Sequence, residues 1–89
     1  MRTIEHHAGG DLKDSESCAR GVISRMSGDR FTVGDEYLIE NISVPSANSL
    51  SDSLPRLFDS YSLDFKKFEI SIQPYSSQET RVVSVRRVA

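Results

Sequence analysis

The stretch Phe68-Glu-Ile-Ser-Ile-Gln-Pro74 alternates apolar and polar side chains without a break. Because successive side chains of a β-strand point to opposite faces, this period of two predicts a strand with Phe68, Ile70 and Ile72 toward a core. After a polar connection, residues 80–89 return as a valine-rich segment, which predicts an antiparallel hairpin. The valines of this second strand fall on both of its faces, which favours a strand covered on both sides.

Upstream of this hairpin, apolar residues recur with the period of a helix, at Leu50, Leu54, Leu57, Phe58 and Tyr61. Residues at this spacing lie on one stripe of a helix, so the stripe is expected to pack on the sheet. Pro55 lacks an amide hydrogen and fits best in the first turn of a helix. The regular helix is therefore predicted to begin near residue 53 and to end between residues 61 and 63.

The first half of the chain is predicted to be a β-meander. Residues 18–26 contain small and branched side chains that suit a strand, residues 27–30 form a turn, and residues 31–34 and 37–44 provide further strands up to Pro45. The predicted fold class is α+β, an antiparallel sheet of about five strands in the order βββ-α-ββ with one helix packed on a face. A barrel-like curling of the strands is an open alternative.

Residues 5–17 combine few apolar side chains with two adjacent glycines and many charges. Such a segment buries too little surface to offset the entropy lost on ordering. We therefore predict a flexible N-terminal arm at residues 1–17, followed by a single domain at residues 18–89.

Composition places the chain among single globular domains, with 89 residues, 37% of them hydrophobic and 27% charged. A domain this short buries only ~60–65% of the surface that its unfolded chain exposes, so a partner or a homo-oligomer is expected to complete it. The formal net charge of −2 argues against nucleic-acid or membrane binding through overall charge.

Cys18 is the only cysteine, which excludes an internal disulfide and the usual thiolate zinc sites. No stretch approaches the ~20 consecutive apolar residues that a membrane-spanning helix needs, and the N-terminal residues lack the apolar region of a signal peptide. A cytoplasmic location without a membrane partner is the resulting expectation.

The candidates for catalysis are His6, His7 and Cys18. Adjacent histidines on an extended chain point in opposite directions, and no cluster of further ligands or acids accompanies them. Gly9-Gly10 lacks the lysine and the preceding strand of a phosphate-binding loop. We predict no catalytic, cofactor-binding or metal site, hence no enzyme and no cofactor. An enzyme that uses Cys18 with His6 or His7 is the third hypothesis, behind the two binding functions described next.

Apolar residues on the strand at 37–44 exceed what one helix can cover. Tyr37 and Ile39 fall on one face, and Leu38 and Ile42 fall on the other. These four residues are the predicted protein interface. The first functional hypothesis is a small non-enzymatic binding or regulatory protein that acts by stoichiometric protein–protein contact, of the accessory, chaperone-like or phage and viral inhibitor type.

The alternative function is a nucleic-acid-binding module. If the two predicted hairpins lie side by side, six arginines could form one face that contacts phosphate or an acidic partner. They are Arg20, Arg25, Arg30, Arg81, Arg86 and Arg87. A structural explanation of the last three is protection of a sheet edge against aggregation.

The run Gly28-Asp-Arg-Phe-Thr-Val-Gly-Asp-Glu-Tyr-Leu-Ile-Glu-Asn-Ile42 resembles strand-turn-strand segments of small phage head-to-tail joining proteins and of many small β-barrels. In that phage family the comparable segment lies close to the C-terminus, whereas a predicted helix and hairpin follow it here. The resemblance therefore carries no functional residue to this sequence.

Overall fold

The computed structural model describes residues 2–28 and 31–89, which form a layer of two helices against a four-stranded sheet. The strands are β1 (Thr3–Gly10), β2 (Glu36–Ser43), β3 (Phe68–Pro74) and β4 (Thr80–Arg87). The helices are α1 (Ser15–Gly28), between β1 and β2, and α2 (Val44–Ser60), between β2 and β3. A short 3-10 helix at Phe65–Lys67 leads into β3. The α+β class is confirmed.

The strands lie in the order β1-β2-β4-β3 in an open sheet. β1 is parallel to β2, and the two other neighbouring pairs are antiparallel. The sheet is therefore mixed, with four strands rather than about five antiparallel ones, and the barrel-like alternative is wrong.

The predicted hairpin at the C-terminal end is confirmed, with Phe68 opposite Arg87 and Pro74 opposite Arg81. Val83 and Val85 of β4 are fully buried, but Val82 on the other face is only half-buried. The expectation that β4 is covered on both faces is wrong, because both helices pack on the same face of the sheet.

Residues 18–26, predicted to be a strand, belong to α1 instead. Ala19, Val22, Ile23 and Met26 are buried, and their spacing of three and four residues places them on one helical stripe. The Asp14 carboxylate caps the helix by accepting hydrogen bonds from the backbone N–H groups of residues 16 and 17. Residues 31–34, also predicted to be a strand, belong to a loop instead, and β2 begins at Glu36. The predicted turn lies partly outside the described residues, since residues 29 and 30 are not among them.

The predicted arm contains β1, and residues 15–17 begin α1. An edge strand needs apolar side chains on one face only, and Ile4 and Ala8 supply them by packing against the core. Hydrogen bonds of the backbone to β2 require no hydrophobic pattern, which is why the composition of the segment did not reveal the strand.

Asp35 connects the start of β1 to the loop before β2. Its buried carboxylate accepts hydrogen bonds from the backbone N–H of Thr32 at 3.0 Å and from that of Arg2 at 2.8 Å. The Arg2 guanidinium also lies 3.6 Å from this carboxylate. These contacts, led by the hydrogen bond from Thr32, lower the pKa of Asp35 below its ordinary value.

The predicted helical stripe is confirmed for its first four members, Leu50, Leu54, Leu57 and Phe58, but Tyr61 follows the helix and is 38% exposed. α2 begins at Val44, nine residues before the predicted start near residue 53. The Ser43 side chain accepts a hydrogen bond from the backbone N–H of Ser46, and Pro45 lies in the first turn, where no amide hydrogen is needed. Pro55 lies inside the helix and leaves one backbone carbonyl without its helical donor. The helix ends at Ser60.

One hydrophobic core fills the space between the helices and the inner face of the sheet. The rings of Phe58 and Phe68 stack at its centre with their centroids 5.0 Å apart. Of the three residues predicted to face inward from β3, Phe68 is buried, Ile70 is half-buried and Ile72 is 37% exposed. The helices therefore cover most of the inner face but leave its β3 edge accessible at Ile72, so the inward prediction fails for that residue.

Candidate binding groove on the open face of the sheet

The outer face of the sheet forms a groove of about 510 Å³ that no helix of the described residues covers. We call this surface the open-face groove. Its residues alternate with the buried ones along β2, β3 and β4, as the strand period requires. They are Glu36, Leu38, Glu40, Glu69, Ser71, Gln73, Tyr75, Val82, Ser84 and Arg86.

At one end of the open-face groove, charges form a row across three strands. Arg86 of β4 lies opposite Glu36 of β2 and Glu69 of β3. Its guanidinium is 3.7 Å from the Glu69 carboxylate, and Ser84 Oγ donates a hydrogen bond of 2.6 Å to Glu36. Both carboxylates therefore have a partner within the protein.

At the other end, the Glu40 carboxylate has no hydrogen bond or ion pair with any described residue. Glu40 lies beside His7 of β1 in the strand register. The ring of Tyr75, which follows β3, approaches the His7 ring edge to face with centroids 6.0 Å apart. This end of the groove therefore combines an unpaired carboxylate with an aromatic ring.

A β-bulge next to Glu40 sets which side chains line the groove. The register of β2 shifts between Ile39 and Ile42, and Asn41 takes a left-handed φ of 57°. Asn41 Nδ2 lies 3.3 Å from Nε2 of His7. Because of the extra residue, Ile42 turns to the buried face while Leu38 and Glu40 stay on the outer one.

The structure places the predicted interface residues on both faces of β2. Tyr37, Ile39 and Ile42 are at most 4% exposed and belong to the core of this chain, which corrects their assignment as a contact surface. The reason is that two helices cover this face where the sequence predicts one. Leu38 alone lines the open-face groove.

The predicted arginine face does not form as one surface. Arg20 and Arg25 lie on α1, where Arg20 pairs with Glu16 at 3.0 Å. Arg30 lies outside the described residues. The assumption of two adjacent hairpins fails because the first of them is α1.

The three arginines of β4 diverge as well. Arg86 points to the outer face, whereas its neighbour Arg87 donates a hydrogen bond to the backbone carbonyl of Phe31 on the helical side. Arg81 donates to the carbonyl of Gln78 at 2.6 Å in the hairpin loop. Two of the three guanidinium groups thus donate hydrogen bonds to backbone carbonyls of the protein itself.

Cys18 and His6 line one pocket of about 340 Å³ between α1 and the sheet, while His7 lies on the opposite face. Burial raises the pKa of the Cys18 thiol, which keeps it protonated and weakly nucleophilic. Among residues 2–28 and 31–89, no group of three or more histidine, cysteine, aspartate or glutamate side chains could hold a metal ion.

The sequence reasoning missed most of the groove, including Glu40, Tyr75 and Val82. One signal was present, since Glu36, Leu38 and Glu40 alternate strictly with two buried residues of β2. This alternation predicts that the three side chains share a face, but not that the face is left open.

Neither helix in the described part of the chain is long and apolar enough to cross a membrane. No protein-family model, curated protein or solved structure matches this chain.

Proposed function

We propose that this protein is a non-enzymatic binding module that acts by stoichiometric contact between its open-face groove and a protein partner. The observation that carries the proposal is the open sheet face itself, which has a concave shape and no cover from the described residues. Two-layer folds leave one sheet face available in this way, and clefts on such faces are common binding sites.

The composition of the groove supports a protein as the ligand. Leu38 and Val82 are half-buried and give it an apolar centre, and charged and polar side chains surround them. An apolar centre with a polar rim is the usual anatomy of a protein–protein interface. The partner is expected to place carbon atoms of its side chains against these two residues.

The net charge of the open-face groove favours a protein ligand over a nucleic acid. The groove has three carboxylates, of Glu36, Glu40 and Glu69, against the single guanidinium of Arg86. A phosphate backbone needs an excess of positive charge on the surface that it contacts. The single cysteine, which cannot form an internal disulfide, supports a reducing, cytoplasmic site of action.

Affinity capture from cell lysate, with and without nuclease, tests the proposal by comparing the wild type with two variants. The control variant is Ser24→Lys, which adds the same charge at an exposed position on α1. The wild type and this control are expected to retain the same stoichiometric partner after nuclease treatment. Val82→Lys places a charge on the apolar surface of the groove beside Glu40 and is expected to lose that partner. Circular dichroism spectra verify that both variants fold.

Two results contradict the proposal. Retention of the partner by Val82→Lys would place the contact elsewhere on the protein. Loss of all captured material on nuclease treatment would support the nucleic-acid alternative instead.

A further inference from the structure

We infer that the Glu40 end of the open-face groove receives a lysine or arginine side chain, so that the partner docks through a basic protein segment. This inference rests on the proposed function and names the chemistry of its ligand. Three features of the groove support it: the unpaired carboxylate, the apolar surface beside it and the aromatic ring at its end.

The carboxylates of the groove differ in what they already bind. Glu36 accepts a hydrogen bond from Ser84, and Glu69 lies 3.7 Å from the Arg86 guanidinium. Glu40 is half-buried, and its carboxylate has no such partner among the described residues. A cation from outside is therefore most stabilised at Glu40, where it does not compete with an internal donor.

The surroundings of Glu40 suit a long cationic side chain. Leu38 and Val82 provide apolar surface for the methylene groups of lysine or arginine. The ring of Tyr75 lines the same groove, and an aromatic face attracts a cation at close range. An amine without a carbon chain, such as ammonium, would leave this apolar surface unused.

Other occupants fit the groove less well. A second copy of the chain would bring its own excess of carboxylates against this one, since the whole protein has a net charge of −2. An acidic peptide or a nucleic acid would meet the same repulsion. A basic segment of another protein is the occupant whose charge complements the groove.

The experiment begins with selection of a random peptide library displayed on phage against the immobilised wild-type protein. Enrichment of lysine or arginine next to an apolar residue is the expected result. The most enriched peptide is then synthesised, together with a form in which its arginine is replaced by citrulline, or its lysine by acetyl-lysine, to remove the charge at nearly constant shape. Fluorescence anisotropy measures the binding of both peptides.

Glu40→Gln is expected to weaken binding of the charged peptide about three- to tenfold and to leave binding of the neutral form unchanged. The matched control is Asp59→Asn, which removes one carboxylate from an exposed position on α2, in the layer behind the sheet. It is expected to bind both peptides as the wild type does. Equal loss of both peptides on Glu40→Gln would contradict the inference.

The two proposals fail in different ways. If the selected peptides lack basic residues but no longer bind Val82→Lys, the groove is a binding site and the inference about its ligand is wrong. If the peptides bind Val82→Lys as well as the wild type, or no peptide is enriched over a surface without protein, both the proposed function and this inference are overturned.

Discussion

The rings of His7 and Tyr75 meet edge to face with centroids 6.0 Å apart, although β1 and β3 form opposite edges of the sheet. Tyr75 follows β3 directly, and its ring lines the open-face groove. The contact therefore closes one end of the groove above the two central strands. It also places an aromatic ring near Glu40, which neighbours His7 in the register.

The two faces of β2 are expected to differ in their contribution to stability. Ile39 is fully buried, so Ile39→Ala is expected to lower the free energy of unfolding by ~2–5 kcal/mol. Leu38 lies on the open face, and Leu38→Ala is expected to lower it by about 1 kcal/mol or less. Urea denaturation of both variants measures the difference. Equal losses would show that the helices do not cover the face assigned to them.

Two glycine substitutions are expected to change stability in opposite directions. Gly21 lies in α1 with open space around its Cβ position, so Gly21→Ala is expected to raise the free energy of unfolding by ~0.5–1 kcal/mol. Gly10 has a φ of 115°, a conformation that L-residues rarely adopt. Gly10→Ala is expected to lower the free energy by ~1–3 kcal/mol.

Thermal and urea unfolding of the two glycine variants compare them directly. Destabilisation by Gly21→Ala would contradict the assignment of residues 15–28 to a helix. A neutral effect of Gly10→Ala would contradict the backbone conformation at the end of β1.

Stability at acid pH is expected to depend on Asp35. Its pKa is lowered in the folded protein by the hydrogen bond from Thr32 and further contacts, whereas the unfolded chain has the ordinary value of about 3.9. The stabilisation by the carboxylate is therefore complete above about pH 4 and is lost as the pH falls through the folded-state pKa.

Asp35→Asn tests this prediction. The variant is expected to be less stable than the wild type at neutral pH and to lose less stability on acidification, as measured by denaturation at a series of pH values. Part of the acid dependence is expected to remain, because the pKa of Asp14 is also lowered, chiefly by the side-chain hydrogen bond from Ser17. Parallel pH profiles for variant and wild type would be the contradicting result.

A substitution at Arg86 is expected to affect binding of a basic protein segment and of nucleic acid in opposite directions. Arg86→Gln removes the one positive charge of the groove, so it is expected to strengthen binding of a basic peptide about two- to fivefold. A nucleic-acid-binding protein would respond in the opposite way, with weaker binding and a flatter dependence on salt. Anisotropy titrations with the selected peptide and with labelled single-stranded DNA, at two salt concentrations, separate the two functions.

The hairpin of β3 and β4 and the buried stripe of α2 could be predicted from sequence, because the period of two is unbroken along β3 and the period of 3.6 is unbroken from Leu50 to Phe58. The sequence of residues 18–26 is compatible with both a strand and a helix. Val22 and Ile23 are β-branched and favour a strand, whereas the spacing from Ala19 to Met26 fits a helix. Packing against α2 selects the helix.

The groove could not be predicted, because it depends on the order of the strands. His7 and Tyr75 are far apart in sequence, and only the order β1-β2-β4-β3 places them over the same face. The interface predicted at Tyr37 failed for a related reason. A second helix, absent from the predicted fold, buries that residue.

Binding of a basic segment in the open-face groove is tested most directly by an NMR titration of the isotope-labelled protein with the most enriched peptide from the library selection. Chemical-shift changes are expected at groove residues of β2, β3 and β4, with the largest near Glu40 and Tyr75, and none on the exposed face of α2. Shift changes confined to α1 and α2, with the groove residues unaffected, would contradict binding in the groove.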